Sequence, residues 1–171
     1  MTDTDRPHLL LLPGLLNDAR LWERQIADLA DFADCSVANL TATDTISGLA
    51  AAALAAVPVQ RFALAGLSMG GYVALEIMRQ DPGRVQALAL LDTSARPDTP
   101  QGMETRRALM KLAETDFAAV VETLLPKMVH PSRLDDVVVV ETIREMAADA
   151  GKGAFLRQQQ AIMGRPDSRG R

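Results

Sequence analysis

The chain has 171 residues, of which 48% are hydrophobic and 23% charged, and its formal net charge is −4. Such a length and composition fit one globular domain with a real core and exclude a disordered chain. The acidic balance, with no basic block and no basic amphipathic helix, argues against nucleic-acid and membrane-surface partners.

The chain opens on "MTDTDRPHLLLLPG". A signal peptide wants a positive start and a longer apolar stretch, and a membrane span needs about 20 apolar residues. The expectation is therefore a soluble, cytoplasmic protein. His8 to Leu12 is a short continuous apolar run stopped by Pro13-Gly14, the pattern of a strand buried on both faces. Asn17 or Asp18 can cap a helix over Ala19 to Phe32, where Leu21, Trp22, Ile26, Leu29 and Ala30 recur at helical spacing. Cys35 to Leu40 reads as a second strand. Cys35 is the one cysteine, so an intrachain disulfide is excluded, and a buried residue is the expectation. Thr43 or Asp44 opens an alanine-rich helix that ends near Ala56, before Pro58. Gln60 to Gly66 is a third strand, Met69 to Gln80 a helix, and Arg84 to Asp92 a fourth strand. Strands alternating with helices indicate a parallel sheet with crossover helices.

Beyond Asp92 the polar connection "TSARPDTPQG" leads into purely helical patterns from Met103 to Met163. One stripe holds Leu109, Leu112 and Ala113. A second holds Phe117, Val120, Val121, Leu124 and Leu125 and is expected to end at Pro126. A third helix is expected from Asp135 to Ala150, despite the strand propensity of Val137 to Val140, with Gly151 past its end. A last helix spans Ala154 to Met163. Arg106 and Arg107 are expected on a solvated face. The cap methionines Met103, Met110, Met128 and Met146 suit helix contacts better than an acyl pocket.

"AGLSMGGYVAL" is the segment that carries chemistry. Gly66, Ser68 and Gly70 form G-x-S-x-G with a strand before and a helix after. A nucleophilic serine needs a sharp strand-to-helix turn that lifts its oxygen above the sheet, and glycines two residues away avoid collision with neighbouring strand and helix. The amides at the start of the next helix favour developing negative charge. The Met69 N–H is one candidate oxyanion donor. The Leu15 N–H, in "LLPGLLND" directly after the first strand, is the second. No histidine or cysteine cluster has metal-ligand spacing, and neither a P-loop nor a dinucleotide fingerprint is present; no metal and no cofactor is expected.

On these segments the chain resembles the α/β-hydrolase superfamily, in its small esterase–lactonase form. "LLLLPGLLNDARLWERQ" is similar to that family's first strand, oxyanion loop and helix. "FALAGLSMGGYVALEIMRQDPGRVQALALLDTSAR" is similar to its elbow and next strand, and the helical stretch to "FLRQQQAIMGRPDSR" to its cap. The resemblance implies a doubly wound parallel α/β sheet of four strands, in spatial order second, first, third, fourth. It implies an α/β-hydrolase core over 1–95, a helical cap over 96–165 and a truncated tail over 166–171. It also implies an acyl-serine mechanism on a carboxylic ester, lactone or thioester, with perhydrolysis or haloperoxidation as the alternative chemistry.

The family's order is serine, acid, histidine, and the match runs out before the last two. Among the two histidines, His8 begins the first strand, at the end away from the oxyanion loop, and His130 lies between cap helices, so neither is a good base. Asp92 is the one candidate acid, at the end of the strand beside that of Ser68. The expectation is an interrupted hydrolase that binds a small ester or lactone with impaired turnover. The competing reading is a non-catalytic remnant or binding module. The fourth strand would then be an open edge, available for self-association.

Overall fold

A computed structural model describes residues 6–170. Residues 1–5 of the expected core domain and Arg171 of the expected tail lie outside the described residues. Four strands, β1 (His8–Leu12), β2 (Asp34–Val37), β3 (Phe62–Leu67) and β4 (Val85–Leu91), form one parallel sheet in the order β2-β1-β3-β4. This is the order implied by the resemblance. The helices between strands are α1 (Glu23–Leu29), α2 (Ile46–Ala56) and α3 (Met69–Gln80). Three more follow the sheet: α4 (Pro100–Thr115), α5 (Phe117–Met128) and α6 (Val137–Met163).

Local chemistry sets several boundaries away from expectation. The helix expected over Ala19 to Phe32 is a 3-10 turn at Ala19–Trp22, capped by Asp18, followed by the short α1. β2 stops at Val37 because its partner β1 runs into Pro13, which has no N–H to continue the ladder. α4 starts at Pro100 rather than Met103. Thr99 caps it, and proline is suited to the first helical position. α5 continues through Pro126 to Met128. Proline here removes the N–H that would bond the Glu122 carbonyl, and both residues are exposed, so water can satisfy that carbonyl and the helix need not break. The third and fourth cap helices form one element, α6, bent at Gly151, whose φ of 75° only glycine adopts readily.

Side chains alternate across the strands, so the sheet buries both faces. Leu10, Leu12, Phe62 and Leu64 pack against Leu49 of α2, Val73 and Ile77 of α3, and Ile162 of α6. Leu11 and Ala65 point the other way, onto Trp22. The helices α4, α5 and α6 bury a core of their own around Leu109, Val120, Leu124 and Phe155. Leu16, from the loop after β1, inserts into that same cluster.

β4 is the exception to burial. Among the described residues it pairs with β3 alone, and Leu88, Leu90 and Leu91 are 38%, 44% and 39% exposed. An open apolar edge of this kind templates pairing with another strand. Association through β4 is therefore expected: the mass measured by sedimentation equilibrium rises with concentration, and joint Leu88→Lys and Leu90→Lys substitution suppresses the rise. A concentration-independent monomer would contradict edge pairing.

Between α2 and α3, Glu76 is buried at 4% exposure. Arg79 donates to it at 2.9 and 2.6 Å and Gln80 at 3.0 Å. The Arg79 hydrogen bonds outweigh burial and bring the Glu76 pKa down to about 2, from 4.5. A depressed carboxylate pKa means that the unfolded chain binds more protons. The stabilisation is thus complete above pH 4.5 and is lost as the pH falls toward about 2. Glu76→Gln should lower the urea midpoint at neutral pH and flatten its decline across that acid window.

Candidate active site

Ser68 joins β3 to α3 with φ 52° and ψ −113°. A non-glycine residue there stores about 1–3 kcal/mol of strain, held in place by its surroundings. Those surroundings are specific. The Ser68 N–H donates to the Leu91 carbonyl at 3.0 Å, which hangs the turn from β4. The Ser68 carbonyl accepts from the Gly71 N–H at 3.0 Å and from the Thr93 hydroxyl at 2.7 Å.

The glycines are set by close approach rather than by dihedral angle. A Cβ on Gly66 would lie 2.5 Å from the Gly70 carbonyl oxygen. One on Gly70 would collide with the carbonyl oxygen of Leu12, and one on Gly71 with Thr93. Helix α3 thus starts directly against β1, with Ser68 at the junction.

The loop after β1 lies alongside. A Cβ on Gly14 would stand 3.6 Å from the Ser68 Cβ. The Asn17 N–H closes a turn onto the Gly14 carbonyl at 3.2 Å, and Leu16 takes the left-handed conformation, φ 59°. The Leu16 N–H is occupied by Gln158. Among the described residues, the Leu15 and Met69 amides have no protein acceptor. Ser68 makes no capping bond to α3, and its hydroxyl has no protein partner among the described residues.

A cleft of about 210 Å³ opens over Ser68. Gly14, Leu15 and Asp92 line it from the sheet side. Lys127, Met128, Ile143 and Met146 line it from the helical side. Met128 and Met146 thus face the cleft, contrary to the helix-contact expectation, while Met110 does pack into the helical core. Asp92, with φ 42°, ends β4 on the cleft. Its left-handed backbone and Ser68's stand at adjacent strand ends.

Neither histidine lines this cleft. His8 Nε2 lies 2.8 Å from the Ser36 hydroxyl, at the start of β1. His130 Nδ1 lies 2.9 Å from the Ser132 hydroxyl, in an adjoining groove of about 480 Å³. Cys35 is partly buried, and burial, followed by the nearby Asp34, raises its thiol pKa. Arg106 is not on a solvated face. It donates to Asp98 at 2.8 Å and to Gln159 at 2.9 Å. Gln158 and Gln159 are both 0% exposed; their one signal in the sequence is a polar "QQQ" run inside a helical stretch. Among the described residues no group of histidine, cysteine or acidic side chains could hold a metal ion, and no helix is long and apolar enough to cross a membrane.

Four parallel strands flanked by helices, a strained serine between β3 and α3, and an accompanying loop after β1 define the α/β-hydrolase fold, and the chain carries that fold. In three dimensions it is similar to an esterase from Thermogutta terrifontis, solved with malate bound, at 28% identity and a TM-score of 0.83. It covers 95% of its own length there and 65% of the esterase. It is also similar to the enol-lactonase of Burkholderia xenovorans LB400, at 21% identity and TM-score 0.84, over 98% of this chain and 68% of that one. MenH from S. aureus superposes at TM-score 0.80 with 19% identity, over 96% of this chain and 70% of MenH. The chain therefore spans about two thirds of the length of these hydrolases. No protein-family model matches the sequence, and no curated protein matches it significantly.

The strain at Ser68 has a measurable consequence. Ser68→Gly relieves the left-handed backbone, whereas Ser68→Ala keeps it. Relief of about 1–3 kcal/mol of strain is opposed by about 0.4–1 kcal/mol of extra unfolded-state entropy of glycine, so the glycine variant should match or exceed the alanine variant in unfolding free energy. An alanine variant more stable by about 0.4–1 kcal/mol would show that the turn is unstrained.

Proposed function

We propose that the chain is a serine hydrolase scaffold for a carboxylic ester, lactone or thioester, with Ser68 as nucleophile. The observation that carries this reading is a strained Ser68 on the same cleft as Leu15, with the Ser68 hydroxyl and the Leu15 and Met69 amides lacking a protein partner among the described residues. The esterase and lactonase likenesses support the substrate class.

In this scheme Ser68 Oγ adds to the acyl carbon as its proton passes to a base. The carbonyl oxygen becomes an oxyanion held by the Leu15 and Met69 N–H groups, the arrangement in which loss of one donor costs ~10² to 10³ in rate. Collapse expels the alcohol or thiol and leaves an acyl-serine, and water releases the acid by the reverse sequence. Met128, Ile143 and Met146 give the acyl group an apolar wall.

The titratable side chains beside Ser68 are Asp92 and Lys127. Asp92 can orient or stabilise a histidine, but no histidine lines the cleft. A second reading has the fold bind an acyl compound without turning it over. Removal of triad members elsewhere leaves a residual ~10³ to 10⁴-fold advantage over water, so weak esterase activity does not separate the two.

Fluorophosphonate labelling does. Stoichiometric phosphonylation, mapped to Ser68 by mass spectrometry and abolished in Ser68→Ala, is the outcome expected of a nucleophile. Labelling no faster than that of free serine would leave only the binding reading.

A further inference from the structure

The side chain of Gln158 ties together three segments that are distant in sequence. It is 0% exposed, in the part of α6 beyond the Gly151 bend. Its Oε1 accepts the Leu16 N–H at 3.1 Å, and its Nε2 donates to the Leu40 carbonyl at 2.9 Å. The loop after β1, the loop after β2 and the last helix therefore meet on one amide.

The geometry bears on the loop beside Ser68. Leu16 has φ 59°, which a leucine does not adopt without support. Its side chain supplies part of that support by packing at 2% exposure into the helical core. Gln158 supplies the rest by engaging the Leu16 amide directly. The Leu16 N–H lies in the Leu15–Leu16 peptide plane, which Gln158 holds. The Leu15 N–H lies in the plane before it, whose Gly14 carbonyl is held by the Asn17 N–H, so the two bonds together limit the direction of the Leu15 N–H. Leu15 lines the Ser68 cleft and its amide has no protein acceptor. One amide is spent on Gln158, and its neighbour is left available beside the serine.

We infer that Gln158 is a positioning residue: it holds the Leu15–Leu16 loop in the conformation that presents the Leu15 N–H to an oxyanion formed at Ser68. The inference rests on the hydrolase reading above. Glutamine suits the place because it accepts and donates from one neutral, buried group. The Leu40 bond anchors the amide, which stops Oε1 rotating away from Leu16. Arg157, the preceding residue, donates to the Thr41 carbonyl at 2.9 Å and steadies the same contact from outside.

The test compares Gln158→Leu with Gln158→Glu in the full chain. Leucine removes both bonds, whereas a glutamate kept protonated by burial retains an acceptor for Leu16 and an O–H donor for Leu40. Amide hydrogen exchange by NMR is read at Leu16, and the Ser68 phosphonylation constant is split into inhibitor binding and bond formation. In Gln158→Leu, Leu16 exchange should accelerate at least tenfold. Bond formation at Ser68 should slow by about 10²-fold, the cost of losing one oxyanion donor, with inhibitor binding little changed. Gln158→Glu should restore Leu16 protection and recover most of the bond-forming rate, which a purely volumetric role for residue 158 would not do. Equal labelling rates in the unsubstituted chain and Gln158→Leu, or unchanged Leu16 exchange, overturn the positioning role alone. Absence of labelling in the unsubstituted chain overturns the nucleophile reading and the positioning role with it.

Discussion

The contact between Gly70 and the Leu12 carbonyl is the constraint on which the site depends. It lets α3 begin against the end of β1 with no side chain between them. That distance leaves the chain no relaxed way to pass from β3 into α3, and Ser68 absorbs the difference as a positive φ. The sheet stabilises what the residue alone disfavours, through the Leu91 carbonyl on the Ser68 N–H and the Thr93 hydroxyl on its carbonyl. Strain at one residue is thus offset by hydrogen bonds from β4 and its exit loop. The serine, the start of α3 and the β1 loop consequently share one small volume.

Electrostatics completes the attachment of the helical half. Asp98 lies between Arg106 of α4 and Arg165 beyond α6, at 2.8 and 3.2 Å. Burial works to raise its pKa, but the hydrogen bond and charge of Arg106, with the charge of Arg165, outweigh it and hold the carboxylate below its ordinary range. Arg165 also lies over the Tyr72 ring of α3 at 4.5 Å. Arg20 bridges Asp18 and Asp149, both at 2.5 Å. The bundle α4–α6 is therefore tied to α3 through Arg165 and to the turn after β1 through Arg20.

Much of this was readable from the residues. Short apolar runs alternating with helical stretches imply a parallel sheet, and glycines flanking a serine between strand and helix imply a close-packed turn. What escaped reading depended on partners distant in the chain. Arg106 looks solvated until Asp98 and Gln159 are folded onto it. Met128 and Met146 are apolar on any helix, and only the placement of α5 and α6 turns them toward the cleft. Pro126 reads as a helix end because the local rule ignores that it and Glu122, four residues before, lie on an exposed face. Gln158 is invisible for the same reason: its role is defined by Leu16 and Leu40, which lie 142 and 118 residues away.

Leu16 belongs to two bodies at once. Its backbone is part of the loop beside the serine, and its side chain is part of the core shared by α4, α5 and α6. A swing of those helices that widened the cleft would pull on Leu16 and disturb the amide before it. Under the proposed reaction, widening the cleft for a bulky acyl chain and holding the Leu15 N–H in place would be mechanically opposed.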